Sequence, residues 1–175
     1  MHTPAPFHTW YDGSPAEKLS QAQTLFDRLG REGLIDALLT GEIDLLRADC
    51  QRLAAQMEVM ALGRLCSRCA TQPGGGCCSA YMAGNTDSLL ILINLLLEIK
   101  IHQRQPPDAD CCFVGPSGCL FMAKPIFCLN YNCSHIQNGT DSATLACLEQ
   151  YAAAVLSRQT RIETLLLDRL RTLTF

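Results

Sequence analysis

Apolar and polar positions along the chain alternate mainly at helical spacing. Ser14-Pro15-Ala16-Glu17 carries the marks of a helix start. Ser14 can cap, Pro15 gives up an amide that would have no partner, and Glu17 can complete a capping box. Leu19, Ala22, Phe26 and Leu29 then fall on one face, and Gly30 is the expected stop. A short helical segment over 32–39 should end near Gly41. A longer helix is predicted over 42–65, with Ile43, Leu46, Cys50, Leu53, Met57 and Met60 recurring at steps of three and four. Thr86 or Asp87 can cap an apolar helix from Leu89 to about His102, hydrophobic nearly all round and suited to a central place. Pro106-Pro107 ends it.

The last predicted helix spans 141–173, roughly 50 Å at 1.5 Å per residue. Leu145, Leu148, Ala152, Val155, Gln159, Ile162, Leu166 and Leu173 trace a heptad-like seam. A kink near Ser157-Arg158-Gln159, packing within the chain, or a partner helix, as in a homodimer, would accommodate such a length. No strand and no internal repeat is expected. The fold class is all-α, a helical bundle with two cysteine-rich metal-binding loop segments set between helices. Residues 1–175 read as a single domain, and 66–133 as its cysteine-rich region.

Composition narrows the function. Hydrophobic residues make up 48% of the 175 and charged residues 18%, which suits a globular chain with a real core. The net charge is -3 and the Lys and Arg residues form no cluster. Phosphate neutralisation has no concentrated positive surface to use, so nucleic acid is not an expected partner. The start, MHTPAPFHTWYDG, lacks the pattern of a secretory signal. The strongest apolar run, Leu89 to Ile101, is too short for a bilayer and contains Asn94, Glu98 and Lys100. A soluble, cytoplasmic protein with no membrane association is expected.

Eleven cysteines change this picture. The count is odd, and structural disulfides are rare in a reducing cytosol, so metal ligation leads. Cys66-x2-Cys69 sits at the end of a helix, where a tight turn can bring two thiolates to one ion. After seven intervening residues comes the doublet Cys77-Cys78. Adjacent side chains diverge, so a doublet more naturally reaches different metal atoms of a cluster. A second segment supplies Cys112, Cys119, Cys128 and Cys133, with Gly115, Pro116 and Gly118 for its bends and Pro125 stiffening the approach to Cys128. Phe113, Leu120, Phe121, Ile126, Phe127 and Leu129 would keep water from the centre. These eight cysteines are the candidate metal ligands. They could build two tetrahedral zinc sites, or four of them could hold an iron-sulfur cluster, which the doublet favours.

The segments CFVGPSGC, CLFMAKPIFC and LNYNC resemble the CxxCxxCC family, the YkgJ-type zinc- or iron-chelating domain. Lys124-Pro125 stands where that family has Arg-Pro, and Tyr131 where its tail has a tyrosine. The first half departs: Cys69 and the doublet are seven residues apart, Gly74-Gly75-Gly76 among them, where the family has about two. The resemblance covers 66–133 and implies zinc or iron without choosing.

Other residues read more plainly. Cys50 lies on a core stripe and reads as an inert buried thiol; Met57 and Met60 fill the same core. Cys111 reads as a spare thiol and Cys147 as packing. His135 reads as a loop histidine before a mixed ligand, and Glu98 with His102 as a helix-surface pair. Gly74-Gly75-Gly76 lacks the strand and the Lys-Ser/Thr of a nucleotide loop. No Cys-His-Asp arrangement is singled out, so no enzyme activity is assigned. The leading expectation is a metal- or cluster-binding protein serving metal handling or electron transfer. Against it stand an interaction module pinned by structural zinc, its last helix binding a partner protein, and an accessory to a modifying enzyme.

Overall fold

A computed structural model describes residues 7–70, 78–101, 111–115, 118–130 and 133–172. Its architecture is all-α, as the periodicity indicates. After a 3-10 turn at Phe7–Trp10, the helices are α1 (Pro15–Arg31), α2 (Ala37–Val59), α3 (Leu62–Ala70), α4 (Ala80–Gly84), α5 (Ser88–Leu96), α6 (Ser134–Gln137) and α7 (Ser142–Thr172). A second 3-10 turn covers Ile126–Leu129. The one departure in class is a very short antiparallel hairpin, β1 (Val114–Gly115) with β2 (Gly118–Cys119), pairing Val114 with Cys119.

The capping signals act as read. The Ser14 side chain accepts from the Glu17 amide and Glu17 reaches back to the Ser14 amide, closing the capping box. Asp87 caps α5 through the Leu90 amide at 2.7 Å. Asp141 accepts from the Ala143 and Thr144 amides at the start of α7, both at 3.0 Å.

Several boundaries differ from expectation. α1 passes Gly30 and ends where Gly33 turns left-handed (φ 66°), with Leu34 N–H bonded to Leu29 O. α2 starts at the Asp36 cap and continues through Gly41, so no separate 32–39 helix exists. A cap that fixes the start earlier outweighs the roughly 1 kcal/mol cost of one internal glycine. The expected 42–65 helix is broken: α2 stops at Met60, and Ala61 adopts φ 54° before α3 begins. α5 is shorter than predicted. It closes at Leu97 with Glu98 left-handed (φ 66°) and Ile99 N–H bonded to Asn94 O at 2.9 Å. Glu98 therefore lies beyond α5, and His102, read as its helix-surface partner, lies outside the described residues.

The core runs along α1, α2, α5 and α7. α5 packs between α1 and α7, and α2 packs along α7. The α7 seam is buried at Leu148, Ala152, Val155, Gln159, Ile162, Leu166 and Leu170, and the helix runs unbroken through 157–159. Its length is covered within the chain by α2 and α5. Leu173 lies outside the described residues.

A row of ionic ties accompanies the apolar seam. Arg158 reaches Glu42 at 2.8 Å and Asp49 at 3.4 Å, and Arg161 reaches Glu42 at 2.6 Å. Near the end of α7, Arg169 joins Asp36 and the Leu34 carbonyl. Cys50, Leu53 and Leu46 are buried on the predicted α2 stripe. Among the described residues, no helix is long and apolar enough to cross a membrane.

Candidate metal centre

The break at Ala61 places Cys66 and Cys69 on α3, not in a turn beyond a helix end. Spaced by three on a helix, they share one face. α3 in turn lies against the hairpin. The Ser67 hydroxyl stands 2.9 Å from Gly115 O and 3.0 Å from Gly63 O, so its proton is shared between a hairpin carbonyl and its own helix. Gly118 has φ 101°, and a β-carbon there would come within 3.1 Å of the Gly63 α-carbon. The two backbones approach closely here, and the left-handed φ of Gly118 favours glycine.

The second cysteine segment enters at Cys111, whose carbonyl accepts from the Val114 amide. Leu120 N–H bonds to Phe113 O at 2.9 Å, and the Phe113 and Phe121 rings pack with centroids 4.8 Å apart, both buried. Pro125 then opens the 3-10 turn that Cys128 closes by donating to the Pro125 carbonyl at 2.9 Å. Cys133 stands at the start of α6 and its carbonyl accepts from Ile136 and Gln137. The expected apolar shield is half realised. Phe113, Phe121 and Leu129 are buried, whereas Ile126 (61% exposed) and Phe127 (57%) face outward.

Cys78 sits partly buried just before the Ser79 cap of α4. Its thiol is pushed well above the ordinary range, first by burial and then by Cys128, Cys66, Cys111 and Cys119. An influence of that kind acts at short range, so Cys66 of the first cluster and Cys111, Cys119 and Cys128 of the second lie within electrostatic reach of Cys78. Burial also raises Cys119, opposed by the Lys124 ammonium, and raises Cys112, to which Cys111 adds. Cys50 is pushed up to about 11, mainly by burial. Cys147 stands beside the Tyr151 hydroxyl on α7.

Of the eight candidates, Cys66, Cys119 and Cys128 thus lie within electrostatic reach of Cys78. Cys111, counted as spare from sequence, belongs to this group and is the more buried of its doublet. Cys69 lies one turn along α3 from Cys66, and Cys112 and Cys133 are partly buried. Cys77, the Gly74-Gly75-Gly76 stretch, Pro116 and Tyr131 lie outside the described residues, as does the His135 side chain.

None of the ten described cysteines is in a disulfide. Among the described residues, no three or more His, Cys, Asp or Glu stand ready to hold a metal ion. The residues acting electrostatically on the Cys78 thiol are all cysteines, a donor type that suits a soft or borderline metal. Buried, proton-bearing thiols must lose their protons as metal binds, and uptake is then coupled to pH. Compared with family models, curated proteins and solved structures, the chain matches none.

Proposed function

We propose that this chain is a cysteine-rich metal-binding protein whose thiolate centre is built between α3, the 111–119 segment and the 126–129 turn. The observation carrying this reading is that cysteines of both segments lie within electrostatic reach of the Cys78 thiol. An iron-sulfur cluster is favoured over zinc because Cys77 and Cys78 are adjacent in sequence, and a cysteine doublet suits several metal atoms better than one. When bound, such a cluster supplies one-electron chemistry, and zinc would supply a structural cross-link. Metal handling or electron transfer is the corresponding role, and a cytoplasmic setting suits the reduced thiols.

The residues supply the rest. Lys124 places a positive charge beside Cys119, which favours the thiolate. Phe113, Phe121 and Leu129 keep one side dry. A second reading, an interaction module pinned by structural zinc, draws on exposed Ile126 and Phe127 beside Cys128. Under it the contact surface would lie on that turn, because the α7 seam is already buried.

Anaerobic purification with metal and sulfide analysis decides between them. Iron with inorganic sulfide and a brown colour supports the first reading, and colourless protein holding zinc supports the second. Protein that takes up neither metal under reducing conditions overturns both.

A further inference from the structure

Two polar residues interrupt surfaces that are otherwise apolar, Asn94 in the middle of α5 and Gln159 in the α7 seam. Asn94 is 0% exposed and Gln159 7%. Burying an amide side chain is costly unless its hydrogen bonds are made. Both make theirs to the same short piece of chain.

Asn94 Oδ1 accepts from the Met122 amide at 2.9 Å and the Ala123 amide at 3.0 Å. Its Nδ2 donates to Ala123 O and Leu90 O, both at 2.9 Å. All four bonding positions of the amide are used. Gln159 Nε2 donates to Lys124 O at 2.9 Å, and Lys124 Nζ folds back onto Phe121 O at 2.9 Å. The stretch 121–124 is neither helix nor strand, so its backbone groups have no ladder to satisfy them. Side chains from two core helices do so instead.

That stretch lies between Cys119 and Cys128. On one side of it Cys119 is held by the hairpin against α3, and on the other Cys128 is held in a 3-10 turn. We propose that Asn94 and Gln159 are positioning residues for the thiol centre: they fix 121–124 on α5 and α7, and so set where Cys119 and Cys128 stand relative to Cys78. The proposal rests on the metal-binding reading above. A Leu at either site would suit helix packing better, but would leave backbone groups of the stretch unpaired.

The test compares Asn94→Leu and Gln159→Leu with Leu89→Ala, a fully buried α5 control that makes no side-chain hydrogen bond to the stretch. Each chain is loaded with Zn²⁺, and its loss to excess chelator is timed. The two polar-site variants should release zinc about tenfold faster or more than expected from their loss of thermal stability, with the control as the standard. Release that follows stability equally in all three overturns the proposal. If Asn94→Leu does not fold, Gln159→Leu carries this comparison.

Hydrogen exchange on the metal-free chain gives an independent reading. In Asn94→Leu the Met122 and Ala123 amides should lose protection while those of α2 keep theirs. Unchanged protection at 122 and 123 overturns the positioning role even if metal binds. A wild-type chain that takes up neither zinc nor iron overturns the metal reading instead, and the exchange result then decides the clamp alone.

Discussion

The bundle of α1, α2, α5 and α7 and the cysteine region from α3 to the 126–129 turn are ordered by different means. In the bundle, apolar residues recur at the helical period and each buried side chain is backed by several others. In the cysteine region the regular elements are short, and position depends on individual ties: Ser67 to Gly115, Gly118 against Gly63, Asn94 to Met122 and Ala123. A surface held by many small contacts fails as a whole, when a charge enters it. A region held by few ties fails locally.

The most severe way to break this contrast is to charge the bundle. Leu148 and Val155 are both 0% exposed. Leu148→Asp or Val155→Asp should cost roughly 4 kcal/mol or more and unfold both regions together in denaturant titrations followed by circular dichroism. A silent substitution at both would mean that α7 is not packed as described.

A smaller effect, confined to the cysteine region, is expected at Cys78. Cys78→Ser should remove most bound metal while the metal-free chain melts as wild type does. Cys50→Ala should do the reverse, keeping its metal and losing about 1 kcal/mol of stability. Metal analysis beside thermal melts reads both, and loss of metal from the Cys50 variant alone would invert the assignment.

Gly118→Ala tests a single backbone approach. The added methyl meets a left-handed φ of 101° and the Gly63 α-carbon together. A penalty of about 1–3 kcal/mol is expected, appearing as faster exchange in α3 and the hairpin with α7 unaffected. Equal loosening throughout would show that the two regions are one cooperative unit.

The slightest effect is one of pH. Burial raises the Cys50 thiol to about 11, so the folded chain holds its proton more tightly than the unfolded chain. The stability this contributes is present below about pH 9 and declines as pH rises from there towards 11. Cys50→Ala should flatten that part of the metal-free stability profile.

The contrast also explains what could be read from the residues alone. The start of α1 was legible because Ser14, Pro15 and Glu17 act through bonds three residues long, and the α7 seam because burial repeats. The break after α2 was not, because Ile43 through Met60 keep the period intact and Glu58 to Leu62 contain no glycine or proline. Periodicity reports which face a residue occupies, not what it touches. Asn94 therefore looked only like an obstacle to membrane insertion, and Gln159 like one more seam position. The hairpin of two-residue strands was too short to leave a pattern. The electrostatic reach of Cys111 to Cys78 depends on a turn that spacing does not reveal.

The left-handed residue at Ala61 has a consequence for how the molecule tolerates changes in length. Continued straight, α2 would carry Cys66 about 9 Å past Met60 along its own axis. The joint instead starts a new helix whose angular phase is counted from Ala61 to Cys66. Each residue of a helix turns the chain by about 100°. One residue inserted between Gly63 and Cys66 would thus swing both α3 sulfurs a quarter-turn or more from the hairpin, with α2 and α7 undisturbed. An equal insertion between Arg31 and Asp36, ahead of the α2 cap, would be absorbed by a connection that carries no thiol.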